Sequence, residues 1–212
     1  MTGPISGFSP QKCCCPHKIC PVDHYPFFIR SGLANIVGPK ICLNNTIIMG
    51  GLINNIGRGL NIVVVKGETG EILAHRYFNV FSGGEFIMYF LKSIQIGSIV
   101  LVASYDDPAA VLTDEIIEIF AGLGSTMSGS VKKRDTWVFA GSAGILEESQ
   151  FEKINNTSIS KREGNIKLPS SFRAVVCIHP STVRSQTNAM GLTGCVVVKK
   201  LEKKNICRSN NE

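Results

Sequence analysis

The 212-residue chain is sparing with aromatic and charged residues: one Trp, four Tyr and a charged fraction of 18%. A nucleic-acid-binding surface wants a basic stripe interleaved with aromatics. Here the basic residues gather at Lys132-Lys133-Arg134 and at Lys199-Lys200 with Lys203-Lys204, and no aromatic alternates with them. The net charge of +6 therefore reads as solvated surface charge, and no nucleic-acid partner is expected. No run approaches the roughly 18–20 apolar residues of a membrane span, so no membrane insertion is expected. Catalytic signatures are missing as well: no serine lies in a nucleophile elbow, and no phosphate loop or dinucleotide fingerprint occurs. The histidines His17, His24, His75 and His179 show no metal spacing. No cofactor is expected, and nothing positive points to an enzyme.

What is present is an ordinary globular core. An apolar content of 44% over this length suits one domain that buries roughly 70% of its unfolded surface. The eight cysteines are placed unevenly, with none between Cys42 and Cys177. That layout suits bridges tying the chain ends to the folded body rather than catalytic thiols. A bridge closing a loop as long as Cys20 to Cys177 would contribute about 4–5 kcal/mol on chain-entropy grounds. A zinc site from Cys15, His17, Cys20 and Cys42 is the alternative, but it lacks a second paired-ligand motif. Bridges imply an oxidising compartment, and the sequons at Asn44-Asn45-Thr46 and Asn155-Asn156-Thr157-Ser158 are compatible with one. Met1 to Lys12 contains no apolar h-region, so a secretory leader is expected to be missing from the chain as written.

The most informative block runs from Gly57 to Asp107. Two apolar runs, Leu60 to Val65 and Glu71 to Asn79, are joined by Gly67-Glu68-Thr69-Gly70, a strong hairpin signal. A helix is expected from about Glu85 to Ile96, with Phe86, Ile87, Phe90, Leu91 and Ile94 on one stripe. A buried strand, Ser98 to Ser104, then ends in Tyr105-Asp106-Asp107-Pro108. Thr113 is positioned to cap a second helix whose core face is Ile116, Ile117, Phe120 and Leu123. Short strands are expected at Phe27 to Ile29, Lys40 to Leu43, Arg134 to Phe139 and Ala174 to Ile178. Residues 147–172 read as loop, and the segment from 180 onward as a weakly ordered tail.

Charged residues held at the rim of a rigid sheet are what a polar ligand needs. Arg58 stands between two glycines at the mouth of the first hairpin strand, and Asp106 and Asp107 close the buried strand. Adjacent aspartates in extended chain point to opposite faces, so they make no glycosidase pair, which needs carboxylates facing across about 5–10 Å. A turn-capping aspartate before Pro108 is the plainer role. Trp137 alternates with Phe139 on one strand face, where core packing is the default.

Several long motifs then fall in order. Ser31-Gly32-Leu33-Ala34-Asn35-Ile36-Val37-Gly38-Pro39-Lys40-Ile41-Cys42 resembles the opening signature of the family of pancreatic-derived factor (PANDER) and interleukin-like epithelial–mesenchymal transition inducer (ILEI). The resemblance continues through Asn55-Ile56-Gly57-Arg58-Gly59-Leu60-Asn61-Ile62, Thr69-Gly70-Glu71, Leu123-Gly124-Ser125 and Arg134-Asp135-Thr136-Trp137-Val138-Phe139. Tyr105-Asp106-Asp107-Pro108-Ala109 is most similar to the gut-expressed branch. It divides the chain into an irregular segment 1–13, a family domain over 14–180 and a weakly ordered basic tail over 181–212.

The resemblance implies an α+β fold: a compact single domain of two packed β-sheets, sandwich-like, with two or three flanking helices. It implies a secreted, cytokine-like signalling protein addressed to a cell-surface receptor, and two disulfides, Cys14–Cys42 and Cys20–Cys177. The domain type, a GG-type lectin domain, implies a glycan ligand held by residues matching Arg58, Asp106 and Arg134, with Trp137 as a stacking face if it is exposed. Ala140 stands where some relatives carry a cysteine, which removes one route to a covalent dimer, so a monomer or weak dimer is expected. A carbohydrate-binding module without a signalling role is the second reading, and a glycan-processing enzyme the third.

Overall fold

The computed structural model describes residues 24–82, 84–144 and 146–155, and the strand backbone of 177–178 and 191–197. Among the described residues ten strands form two five-stranded sheets. The first contains β1 (His24–Arg30), β2 (Lys40–Leu43), β3 (Thr46–Gly50) and two late strands, Cys177–Ile178 and Gly191–Val197. The second contains β4 (Gly59–Lys66), β5 (Ile72–Phe78), β6 (Ser98–Tyr105), β7 (Thr136–Ser142) and β8 (Phe151–Asn155). With the late strands numbered β9 and β10, the spatial orders are β3-β2-β1-β10-β9 and β5-β4-β6-β7-β8. All pairs are antiparallel except β9 with β10, which run parallel.

The apolar runs explain the layering. Leu60 to Val65 and Ser98 to Ser104 are buried at every position, the pattern of strands covered on both faces. One face of the second sheet presents Val63, Val65, Leu101, Ala103 and Val138 to Phe27, Ile29, Ile41 and Met49 of the first sheet. The other presents Leu60, Ile62, Val100, Val102, Trp137 and Phe139 to two helices, α1 (Gly84–Lys92) and α2 (Asp114–Gly122). The order is sheet, sheet, helices. Each fully buried Ile, Leu or Phe contributes about 1.5–3 kcal/mol, so the central strands β4 and β6, covered on both faces, contribute heavily to stability.

The hairpin, both helices and the buried strand lie where the sequence puts them, with instructive differences. Helix α1 stops at Lys92 rather than reaching Ile96. The Ser93 hydroxyl donates to the Phe90 carbonyl at 2.7 Å, and serine competes in this way with continued helix. Thr113 occupies the N-cap of α2, but its hydroxyl caps no amide and donates instead to Glu115 Oε2 at 2.9 Å. That bond, and then the residue's own backbone amide, hold the Glu115 carboxyl below its usual range. Within the stretch read as loop, Phe151–Asn155 forms β8 along β7. Within the segment read as a weakly ordered tail, Gly191–Val197 forms a strand between β1 and β9. An unpaired β1 edge would leave a row of backbone donors and acceptors, and β10 satisfies it. No helix among the described residues is long and apolar enough to cross a membrane.

Candidate functional site

Strand register gathers the site. Gly59 at the start of β4 pairs with Tyr105 at the end of β6, so Arg58 and Asp106 leave the sheet side by side. Ala103 pairs with Val138, so the start of β7, which Arg134 precedes, lies at the same end of the sheet. Arg58 Nε lies 3.5 Å from Asp106 Oδ2; the guanidinium side chain is 65% exposed and the carboxylate side chain 19%. A pair with one partner this open is worth roughly 0–1 kcal/mol.

The backbone at this rim is held in an uncommon shape. Asp106 (φ 62°) and Arg134 (φ 65°) both adopt left-handed conformations. Asp tolerates that region through its short polar side chain, whereas a long cationic residue is less usual there. Such non-glycine residues cluster at functional sites, where surrounding structure fixes them. The turn carrying Arg134 is closed from both sides: Asp135 N–H donates to the Lys132 carbonyl at 3.0 Å, and Asp135 Oδ2 accepts from Lys132 N–H at 2.9 Å. Beside Asp106, the Oδ1 of Asp107 is shielded from solvent and has no hydrogen-bond partner.

Asn61 is the positioning residue that sequence reasoning missed. It is fully buried within an apolar strand. Its Oδ1 accepts from Gly57 N–H at 2.9 Å, and its Nδ2 donates to the carbonyls of Gly57 at 2.8 Å and Ala103 at 3.3 Å. The side chain thereby clamps the residue before Arg58 onto β6. A Cβ on Gly57 would fall 2.1 Å from the Tyr77 ring, and one on Gly59 (φ +92°) 2.1 Å from the Phe78 carbonyl oxygen. The two glycines flanking Arg58 are therefore required for close approach of the backbone. A lone Asn inside the run Leu60 to Val65 was the available signal, since a buried amide must find partners.

Trp137 does not belong to this site. It is completely buried on the helix side of the sheet, edge-on to Phe120 at 5.1 Å and stacked on Phe139 at 5.8 Å. The expectation of a stacking face for a sugar is corrected accordingly, because no surface of the indole reaches solvent. Its Nε1 donates to Glu152 Oε1 at 2.9 Å. Glu152 also accepts from the Ser125 hydroxyl at 2.6 Å and from the backbone N–H groups of Thr126 and Met127 at 2.7 and 3.1 Å. This carboxylate ties the loop after α2 to β8, a structural role that went unread.

Cys42 is disulfide-bonded. Cys14 and Cys20 lie outside the described residues, and of Cys177 only the strand backbone is described. Among the described residues no group of three or more His, Cys, Asp or Glu gathers as for a metal ion.

The family described as interleukin-like EMT inducer matches residues 58–145, which begin at Arg58 and take in β4 to β7. Protein FAM3C of Rattus norvegicus is 46% identical over 159 residues, covering 73% of this chain and 70% of its own. Protein FAM3C of Homo sapiens gives the same identity and coverage. Protein FAM3D of Mus musculus is 40% identical over 159 residues, covering 74% of this chain and 71% of its own. Identity at this level over most of both sequences carries fold and topology with it, and the chain belongs to the interleukin-like EMT inducer family, with FAM3C and FAM3D proteins among its relatives.

Proposed function

We propose that the protein is secreted and acts as a non-enzymatic, cytokine-like signal whose domain carries a carbohydrate-binding site at Arg58, Asp106 and Arg134. The observation that supports the site is the 3.5 Å contact of Arg58 with Asp106 at a rim to which the topology also brings Arg134. Guanidinium groups donate in a planar fork and a carboxylate accepts at two oxygens, a combination suited to vicinal hydroxyls. With Trp137 buried, the site has no indole platform and relies on polar contacts, so binding to a single sugar is weak.

Titration of mannose- and glucosamine-containing glycans into the wild type and Arg58→Ala tests the site. Saturable binding by the wild type, weakened at least tenfold by the substitution, is expected. Equal and negligible binding by both proteins removes the lectin part of the reading, and a null response from receptor-bearing cells removes the signalling part. Export rests on the proposed bridges Cys14–Cys42 and Cys20–Cys177. Non-reducing peptide mapping of material released from cells is expected to recover both, and free thiols throughout would count against secretion.

A further inference from the structure

The first sheet carries a second polar feature that shares no residue with the Arg58–Asp106 rim. Ile29 and Ile41 point into the core between the sheets, so by the two-residue period of a strand Arg30 and Lys40 face the other way. The two are direct cross-strand partners on β1 and β2. Like charges placed directly opposite destabilise a sheet. Both wall a hollow of about 300 Å³, completed by Gly38, Gly50, Gly51 and Leu52 among others, and among the described residues no acidic one lines it.

The hollow is braced on both sides. Arg30 Nη2 donates to the Gly38 carbonyl at 3.0 Å, which fixes the guanidinium plane. On the opposite rim, Asn55 Oδ1 accepts from Gly50 N–H at 3.0 Å and its Nδ2 donates to the Ile48 carbonyl at 2.8 Å. Around Gly51 the space is open, with no atom within 4 Å of where a Cβ would stand. Among the described residues, however, the cations have no counter-charge. Arg30 Nε is shielded from solvent and has no hydrogen-bond partner. Neither Arg30 nor Lys40 has an acidic partner among the described residues. Burial lowers the pKa of Arg30, and burial first and the Arg30 charge second lower that of Lys40.

A cationic pair this poorly compensated is relieved by an anion, and a volume at the lower end of the roughly 300–1,000 Å³ of small-molecule sites admits more than a bare ion. We propose that this hollow binds a monosaccharide-sized acidic ligand through its carboxylate, sulfate or phosphate group, which neutralises the Arg30–Lys40 pair.

The test uses the full chain, ¹⁵N-labelled, titrated with glucuronic acid, glucose 6-sulfate and glucose 6-phosphate, with glucose as the neutral control. At least one acid is expected to shift the amide signals of Gly38, Gly50 and Gly51 saturably, while glucose does not. The acid that binds tightest identifies the anionic group. Lys40→Gln is expected to weaken binding at least tenfold and Lys40→Arg to restore it, because Lys40 supplies charge. Arg30→Gln is expected to do the same harm as Lys40→Gln; should it unfold, the two Lys40 variants decide alone. Arg58→Ala is expected to leave acid binding unchanged. Absence of binding by all three acids, equal shifts with glucose, equal affinity of wild type and Lys40→Gln, or loss of acid binding in Arg58→Ala would each overturn the proposal.

Discussion

Glu152 on β8 and Asp106 at the end of β6 are carboxylates of the same sheet, yet their surroundings differ in kind. Glu152 is 8% exposed and receives hydrogen bonds from Ser125, Thr126, Met127 and Trp137. Asp106 is more open, sits on a left-handed backbone and meets a largely exposed guanidinium at 3.5 Å. An ionised carboxylate offers about four acceptor sites. In Glu152 the protein itself fills them, which turns the group into a structural tie. In Asp106 most of that capacity is left over, and leftover capacity at a rigid rim is what a ligand uses.

Removing the side chains should separate the two roles most sharply. Glu152→Ala strands the buried Trp137 N–H and takes the acceptor from the part-buried backbone N–H groups of Thr126 and Met127. One buried and two part-buried donors that lose a charged acceptor cost about 3–5 kcal/mol in total, a large fraction of a domain's stability. Urea unfolding followed by Trp137 fluorescence would read it directly. A loss below about 1 kcal/mol would mean that water or a neighbouring group replaces the carboxylate, and the contrast with Asp106 would fail.

Asn61 tests whether the rim is as rigid as its strained backbone suggests. Asn61→Ala deletes the clamp on Gly57 and leaves the Gly57 and Ala103 carbonyls short of a donor. The expected destabilisation is about 2 kcal/mol, smaller than at Glu152 because no charge is involved. Glycan affinity should fall along with it at temperatures where the variant is fully folded, since Arg58 follows the clamped residue. Unchanged affinity in a destabilised but folded Asn61→Ala protein would show that Arg58 is placed by the glycines alone.

The comparison also shows what a sequence can disclose. The β4–β5 hairpin and the core strand β6 were readable as apolar runs bounded by Gly59, Gly67, Gly70 and Gly97, and α2 as an apolar helical stripe that ends at Gly122. Arg58, Asp106 and Arg134 were readable as strand-end charges within a known motif order, although only the register of Gly59 with Tyr105 shows that the first two touch. The β8 strand was not readable. Its Phe151-Glu152-Lys153-Ile154-Asn155 text is polar because Glu152 is buried for the sake of the Trp137 indole and the 125–127 loop, partners distant in sequence. For Trp137 the core reading holds and the stacking alternative does not; its hydrogen-bond partner Glu152 lies in text that looked like loop. Strand β10 was masked by the Ser, Thr and Lys text around it, and its place is set by the open edge of β1.

The finest cut is the isosteric amide. At Glu152 the change to Gln brings an NH₂ group against donors that need an acceptor, so Glu152→Gln should still cost about 2 kcal/mol despite its equal volume. At Asp106 the change to Asn meets no such conflict. Asparagine accepts the left-handed conformation as readily as aspartate, so the φ of 62° adds no strain. The partner charge belongs to an exposed Arg58, so losing the ion pair should shift stability by less than about 0.5 kcal/mol. Glycan affinity, by contrast, should drop severalfold, because a sugar hydroxyl that donated to a carboxylate would meet a neutral amide and lose a charge-assisted bond. Stability curves that overlay for wild type and Asp106→Asn, beside glycan titrations that do not, would place Asp106 on the side of recognition. A stability loss as large as that of Glu152→Gln would move it to the side of architecture.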